Sequence, residues 1–217
     1  MTPWLAWAQY PINAGLHLSW TSMRRTSTVL LFCALALAVV ASIALWRMGE
    51  PAEPAGGTAS VGGPYVLTDQ NGKPRSDRDF HGRWVLLYFG YTFCPDVCPT
   101  TLAKISAALG KLGPQADRFV PVFITIDPER DTPSVLKTYL AAFGPQFVGL
   151  TGKPSDIANV AHAYRVYYAK HPLAGGNYAM DHSSVIYLID PNGNFVKAYD
   201  DEASVPALAA DLKKTAS

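Results

Sequence analysis

The sequence predicts an α/β domain, with a central sheet covered by helices on both faces. Three observations carry that expectation. The runs Trp84–Phe89 and Phe119–Ile126 are continuously apolar and rich in β-branched and aromatic residues, as strands buried on both faces must be. Apolar residues at spacings of three and four follow each run: Leu102, Ile105, Leu109 and Leu112, then Val135, Leu136, Tyr139, Leu140 and Phe143. Strand-like runs that alternate with helix-like stripes give βαβ units around a sheet.

In chain order, Tyr65–Thr68 reads as a strand entering a turn marked by Asn71-Gly72. The run Trp84–Phe89 leads into the helix of Leu102, which Gly113-Pro114 ends. After Phe119–Ile126, either Asp131 or Thr132 can cap the next helix, with Pro133 in its first turn and Gly144-Pro145 as its stop. Phe147–Leu150 is a short strand and Ser155–Val166 a helix, with Ile157, Val160 and Tyr164 facing inward. Residues 167–181 read as a loop containing Gly175-Gly176. Ser184–Ile189 and Phe195–Tyr199 form a hairpin across Asp190-Pro-Asn-Gly193, and Val205–Lys214 closes the chain as a helix. A cysteine pair opening the first long helix, with a hairpin late in the chain, suggests a thioredoxin-like arrangement. No internal repeat is present.

The 217 residues suffice for one domain and an appendage. Residues 1–23 carry no charge and no periodicity, and Met23-Arg24-Arg25 reads better as a beginning, so 1–23 is expected to be a start-site extension. Thr28–Trp46 is apolar over about 28 Å at the helical rise, enough to cross a bilayer. Arg24 and Arg25 before it place the N-terminus in the cytoplasm and the bulk of the chain across the inner membrane, on the periplasmic side. The rival is a cleaved secretory signal; the length of the run and its bulky Trp46-Arg47 exit favour a retained anchor over residues 24–48. Residues 49–60, rich in Gly, Pro, Ala and Glu, are a tether, and 61–217 the folded domain. From Tyr65 onward 15 Lys and Arg residues are matched by 15 Asp and Glu, so no basic groove for nucleic acid is expected.

Of three cysteines, Cys33 lies in the apolar run and is expected to be a small buried or lipid-facing residue. Cys94 and Cys98 sit where the first strand turns into its helix. Unpaired N–H groups and the positive dipole end there favour thiolate over thiol. A disulfide between them would close a tiny loop and add little stability, so a reactive or metal-binding pair is the better reading. Strand ends of one edge also bring Asp127 toward them. His182 immediately precedes the hairpin strand expected from Ser184, where a thioredoxin-like fold usually carries a cis-proline facing the cysteine turn. An imidazole in that slot converts a dithiol into a Cys, Cys, His site. Two thiolates and one imidazole suit copper, Cu(I) above all, whereas zinc would want a fourth ligand. His81, His162 and His171 have no suitable sequence neighbours, and Met180 is not expected to be a donor.

The blocks Gly62–Gln70, Tyr88-Phe-Gly-Tyr-Thr-Phe-Cys94-Pro-Asp-Val-Cys98-Pro99, Ile126–Thr132 and Asp181-His182-Ser183, in this order, resemble the Sco/SenC family of membrane-tethered copper chaperones. The resemblance covers the whole domain. It implies a thioredoxin-like fold, copper bound by Cys94, Cys98 and His182, and Asp127 at the position of an aspartate the family uses near the metal. It also implies a metallochaperone rather than an enzyme, with subunit two of cytochrome c oxidase as partner and delivery to, or preparation of, its CuA centre as the task. A second copper carrier that loads the site is a further expected partner. The alternative is a thiol–disulfide reductase that keeps the cysteines of the oxidase copper site reduced.

Overall fold

The computed structural model describes residues 34–42, 61–200 and 202–216. Contacts divide the chain into two units, Met1–Gly57 and Thr58–Ser217. In the first, residues 34–42 form a helix, α1, with every side chain exposed. Among the described residues no helix is long and apolar enough to cross a membrane. The remainder of the expected span 28–46, Cys33, the extension 1–23 and the tether 49–60 lie outside the described residues.

The second unit is built on a seven-stranded sheet. Its strands are β1 (Val66–Asp69), β2 (Pro74–Ser76), β3 (Trp84–Gly90), β4 (Phe119–Thr125), β5 (Val148–Thr151), β8 (Ile186–Ile189) and β9 (Phe195–Tyr199), in the spatial order β2-β1-β5-β4-β3-β8-β9. β6 (Tyr168–Pro172) and β7 (Tyr178–His182) form a separate two-stranded sheet. The helices are α2 (Val97–Gly110), α3 (Pro133–Leu140), α4 (Pro154–Ala163) and α5 (Val205–Thr215). β3, β4 and β5 are parallel neighbours, while β8 runs antiparallel to β3 and β9 to β8.

Every residue of β4 is buried, and so is β3 from Val85 to Gly90, as their unbroken apolar runs require. Successive side chains of β3 serve opposite faces. Tyr88 meets Phe123 and the α2 residue Cys98, and Phe123 meets Tyr139 of α3. Phe89 points the other way, onto Tyr187 and Tyr164, the residue that ends α4. Helices therefore cover both faces, the thioredoxin-like arrangement expected. Each fully buried ring or leucine of this core contributes roughly 1.5–3 kcal/mol over its exposed state.

Two readings need correction. Residues 167–181 are not a loop: they hold β6, most of β7 and the turn between them. That hairpin hides from periodicity because nine of its ten strand residues from Tyr168 to Pro172 and Tyr178 to His182, all but Met180, are only partly buried or exposed, leaving no apolar alternation to read. His182 accordingly ends β7 and does not lead straight into β8, which starts at Ile186. Of the two expected caps for α3 it is Thr132 that serves, as the sequence allowed, its Oγ1 accepting the Val135 N–H at 3.4 Å.

Candidate metal centre

β3 runs out at Gly90 beside the end of β4, and the chain turns through Tyr91–Asp96 into α2. Cys94 lies in that turn, its N–H donating to the Tyr91 carbonyl at 3.3 Å. Cys98 is the second residue of α2 and has no exposed surface. Gly90 makes room for it: a Cβ there would stand 2.8 Å from Cys98 Sγ, too close for the two to coexist without a shift.

Asp131 fixes the turn from below. It is fully buried, and its carboxylate accepts the Thr92 N–H at 3.0 Å, the Thr92 hydroxyl at 2.5 Å and the Thr125 hydroxyl at 2.6 Å. Burial pushes its pKa up, against those hydrogen bonds. Sequence reasoning missed this role, because an aspartate two residues before a proline-led helix looks like a cap.

The two sulfurs differ in state. The Cys94 thiol is pushed down to about 5. Donation from the Cys98 side chain is the leading cause, helped by the backbone N–H groups of Cys98 and Asp96 against the cost of burial. The Cys98 N–H stands 3.4 Å from Cys94 Sγ. The Cys98 thiol is pushed up, first as the donor to Cys94 and then by burial. One thiolate at the surface and one protonated thiol beneath it is the resulting metal-free state.

His182 completes the group. Its Nε2 is 3.3 Å from Cys98 Sγ, and its Nδ1 is 3.0 Å from the Ser183 carbonyl. A carbonyl can only accept, so in the neutral ring Nδ1 carries the hydrogen and Nε2 turns its lone pair toward the sulfur. The rings of Tyr88 and Tyr91 meet the imidazole edge-on, with centroids 6.1 and 5.9 Å away. The ligand atoms of Cys94, Cys98 and His182 all lie within 4.8 Å of one another, and among the described residues this is a group able to hold a metal ion. Two sulfurs and an imidazole nitrogen, with one sulfur half-exposed, form a soft donor set open on one side.

Asp127 does not belong to that trio. It is almost fully buried and its carboxylate accepts from Arg130 Nε and, at 2.7 Å, from the Tyr178 hydroxyl. Met180 packs into the core, His171 pairs with Asp181 at 2.7 Å on the surface, and His81 and His162 are exposed.

Comparison with known proteins matches residues 53–217 to the SCO1/SenC family model. The SCO1 homolog 1 of Arabidopsis thaliana, a mitochondrial protein, is 43% identical over 162 residues, covering 74% of this chain and 48% of the relative. A mouse SCO1 homolog is 42% identical, covering 72% of this chain and 56% of the relative, so the chain spans about half the length of these curated relatives. Bradyrhizobium japonicum ScoI, solved with copper bound, aligns with a TM-score of 0.68 and 48% identity over 71% of this chain and 99% of that one. BsSco, a member of the Sco family of cytochrome c oxidase assembly proteins in which a disulfide switch is identified, aligns with a TM-score of 0.58 and 27% identity over 73% of this chain and 94% of that one. On the match over three quarters of its length, the chain belongs to the SCO1/SenC family.

Proposed function

We propose that this protein is a copper carrier for cytochrome c oxidase assembly, binding one copper ion through Cys94, Cys98 and His182. The observation that carries the reading is the convergence of two sulfurs and an imidazole nitrogen within 4.8 Å, from two parts of the chain 84 residues apart at Cys98 and His182. The recipient in this reading is the CuA centre of subunit two. Residues 24–48 serve as a single membrane anchor and 49–60 as the tether that holds the domain at the periplasmic face.

The donor set suits Cu(I), which accepts three soft ligands without a fourth. Copper would be held by the thiolates of Cys94 and Cys98 and by His182 Nε2. Cys94 is available as a thiolate at neutral pH, while Cys98 must give up its proton as the metal enters. Cys94 is also the half-exposed sulfur, so a partner's thiolates reach the ion from its side and displace the ligands one after another. Asp127 stands behind the site through Tyr178 and Arg130.

The test is a competition titration of the full chain with a chromophoric Cu(I) chelator. His182→Ala is expected to weaken binding by about two orders of magnitude with the fold intact, as loss of a ligand should. Unchanged affinity would remove His182 from the site.

A thiol–disulfide reductase is the second reading, favoured by the ionised, half-exposed Cys94 over a protonated Cys98. Cys94 would attack a partner disulfide and expel one partner thiolate. Cys98 would then attack the Cys94 sulfur of the mixed disulfide, releasing the second thiol and leaving a Cys94–Cys98 disulfide, two electrons passing to the partner. Copper transfer to an apo partner whose cysteines were reduced beforehand separates the readings. Transfer supports the carrier; no transfer, with oxidase assembly rescued by added dithiol, supports the reductase.

A further inference from the structure

We propose that Arg130 is a positioning residue for His182: it clasps the β6–β7 hairpin to the loop after β4 and so sets where the imidazole meets the two sulfurs. The proposal rests on the reading of Cys94, Cys98 and His182 as copper ligands.

His182 is the last residue of β7, and β6 and β7 hydrogen-bond to each other rather than to the seven-stranded sheet. The ladder between them gives the hairpin its shape. It does not fix the hairpin against the cysteine turn, which hangs from β3. That registration has to come from side chains.

Arg130 reaches all three parts. Its Nε donates to Asp127 in its own loop. Its Nη1 donates to the Tyr178 carbonyl at 3.0 Å and to Asn177 Oδ1 at 3.3 Å, both in the hairpin. Its guanidinium carbon lies 3.6 Å from the centre of the Tyr178 ring and 4.7 Å from that of Phe93, the residue before Cys94. Tyr178 closes the loop of contacts by donating its hydroxyl to Asp127 Oδ1 at 2.7 Å.

These contacts are sheltered. The Arg130 side chain is 16% exposed and that of Asp127 2%, so their attraction escapes the screening that weakens surface pairs. The parallel link from Lys170 to Glu129, at 2.7 Å, joins the same hairpin to the same loop but is 42% and 61% exposed. It contributes little. The planar fork matters as much as the charge. A lysine could pair with Asp127, but it could not at the same time donate along the hairpin and set a guanidinium over the Tyr178 and Phe93 rings.

The experiment compares Arg130→Met, Arg130→Lys, Tyr178→Leu, His182→Ala and the double variant Arg130→Met/His182→Ala in the full chain. It reads Cu(I) affinity by chelator competition and the imidazole contribution to the copper X-ray absorption spectrum. Each of the first three is expected to weaken copper about 10- to 100-fold and to diminish the imidazole signal. The double variant is expected to bind no more weakly than His182→Ala alone, because the clasp then has nothing left to position. Arg130→Lys and Tyr178→Leu keep a partner for Asp127 and decide the matter if Arg130→Met does not fold. Full affinity with an intact imidazole signal in the folded clasp variants would overturn the proposal, as would losses that add in the double variant. Wild-type affinity in His182→Ala would instead overturn the ligand reading beneath it, and the clasp with it.

Discussion

The two halves of the site are held by different physics. The sulfurs hang from the end of β3, a strand paired with β4 along its length and with β8 from Val85 to Tyr88, and buried from Val85 to Gly90. The imidazole hangs from a hairpin whose backbone bonds are its own and whose strand residues, Met180 apart, keep some exposure. One half is placed by the hydrophobic core, the other by a few polar and ring contacts. In the carrier role proposed above, such a division would let one donor withdraw while the others stay in place.

The sharpest way to break this contrast is to cut equally into both halves. Phe89→Ala, at a fully buried position of β3, is expected to cost about 3–5 kcal/mol of unfolding free energy in urea titration. Leu173→Ala, beside the hairpin strand at 53% exposure, is expected to change it by no more than about 0.5 kcal/mol. Comparable losses would mean that the hairpin is part of the core after all.

Next in size is the support under the cysteine turn. Asp131→Ala strands the Thr92 N–H and two hydroxyls, at about 1–3 kcal/mol for a buried donor left unpaired. Gly90→Ala should cost a similar amount by overpacking against Cys98 Sγ, and should weaken copper binding as well. A Gly90→Ala variant with unaltered copper affinity would show that the buried sulfur tolerates displacement.

The β3 half was the legible one. Trp84–Phe89 is apolar at every position, and Cys94 and Cys98 follow it directly, so a strand, a helix start and a thiol pair could all be read locally. His182 was legible as a site residue through its place before the last hairpin, but the strand that carries it was not. Tyr168-Ala-Lys-His-Pro172 mixes polar and apolar residues without alternation, because a hairpin standing off the main sheet has little core to face. Arg130 and Asp131 were hidden for another reason. In Asp127-Pro-Glu-Arg-Asp-Thr-Pro133 they read as turn and cap, and their partners at Tyr178 and Thr92 lie 48 and 39 residues away. Long-range polar contacts leave no period in a sequence.

Smaller in energy, yet sharp in outcome, is the asymmetry between the sulfurs. Cys94, lowered to about 5, should be alkylated by iodoacetamide at a rate that is level from pH 6 to 8 and falls about tenfold per unit below 5. Cys98, buried and raised, should stay unmodified in the folded protein. The sign for the metal follows: at pH 8 Cu(I) uptake should release one proton from the sulfur pair, that of Cys98, and below pH 5 a second from Cys94. Calorimetry in buffers of different ionisation enthalpy counts them. Two protons at pH 8, or an alkylation midpoint near 9, would put the sulfurs on an equal footing.

The smallest effect expected is in motion. Amides of 168–182 should exchange with deuterium through openings of lower free energy than those of β3 and β4.

The most direct test is the X-ray absorption spectrum of the copper-loaded full chain beside that of its His182→Ala variant. Two sulfur scatterers and one imidazole in the first, with the imidazole gone from the second, is the result expected. An all-sulfur shell in the native protein, or an imidazole signal that survives the substitution, would contradict it.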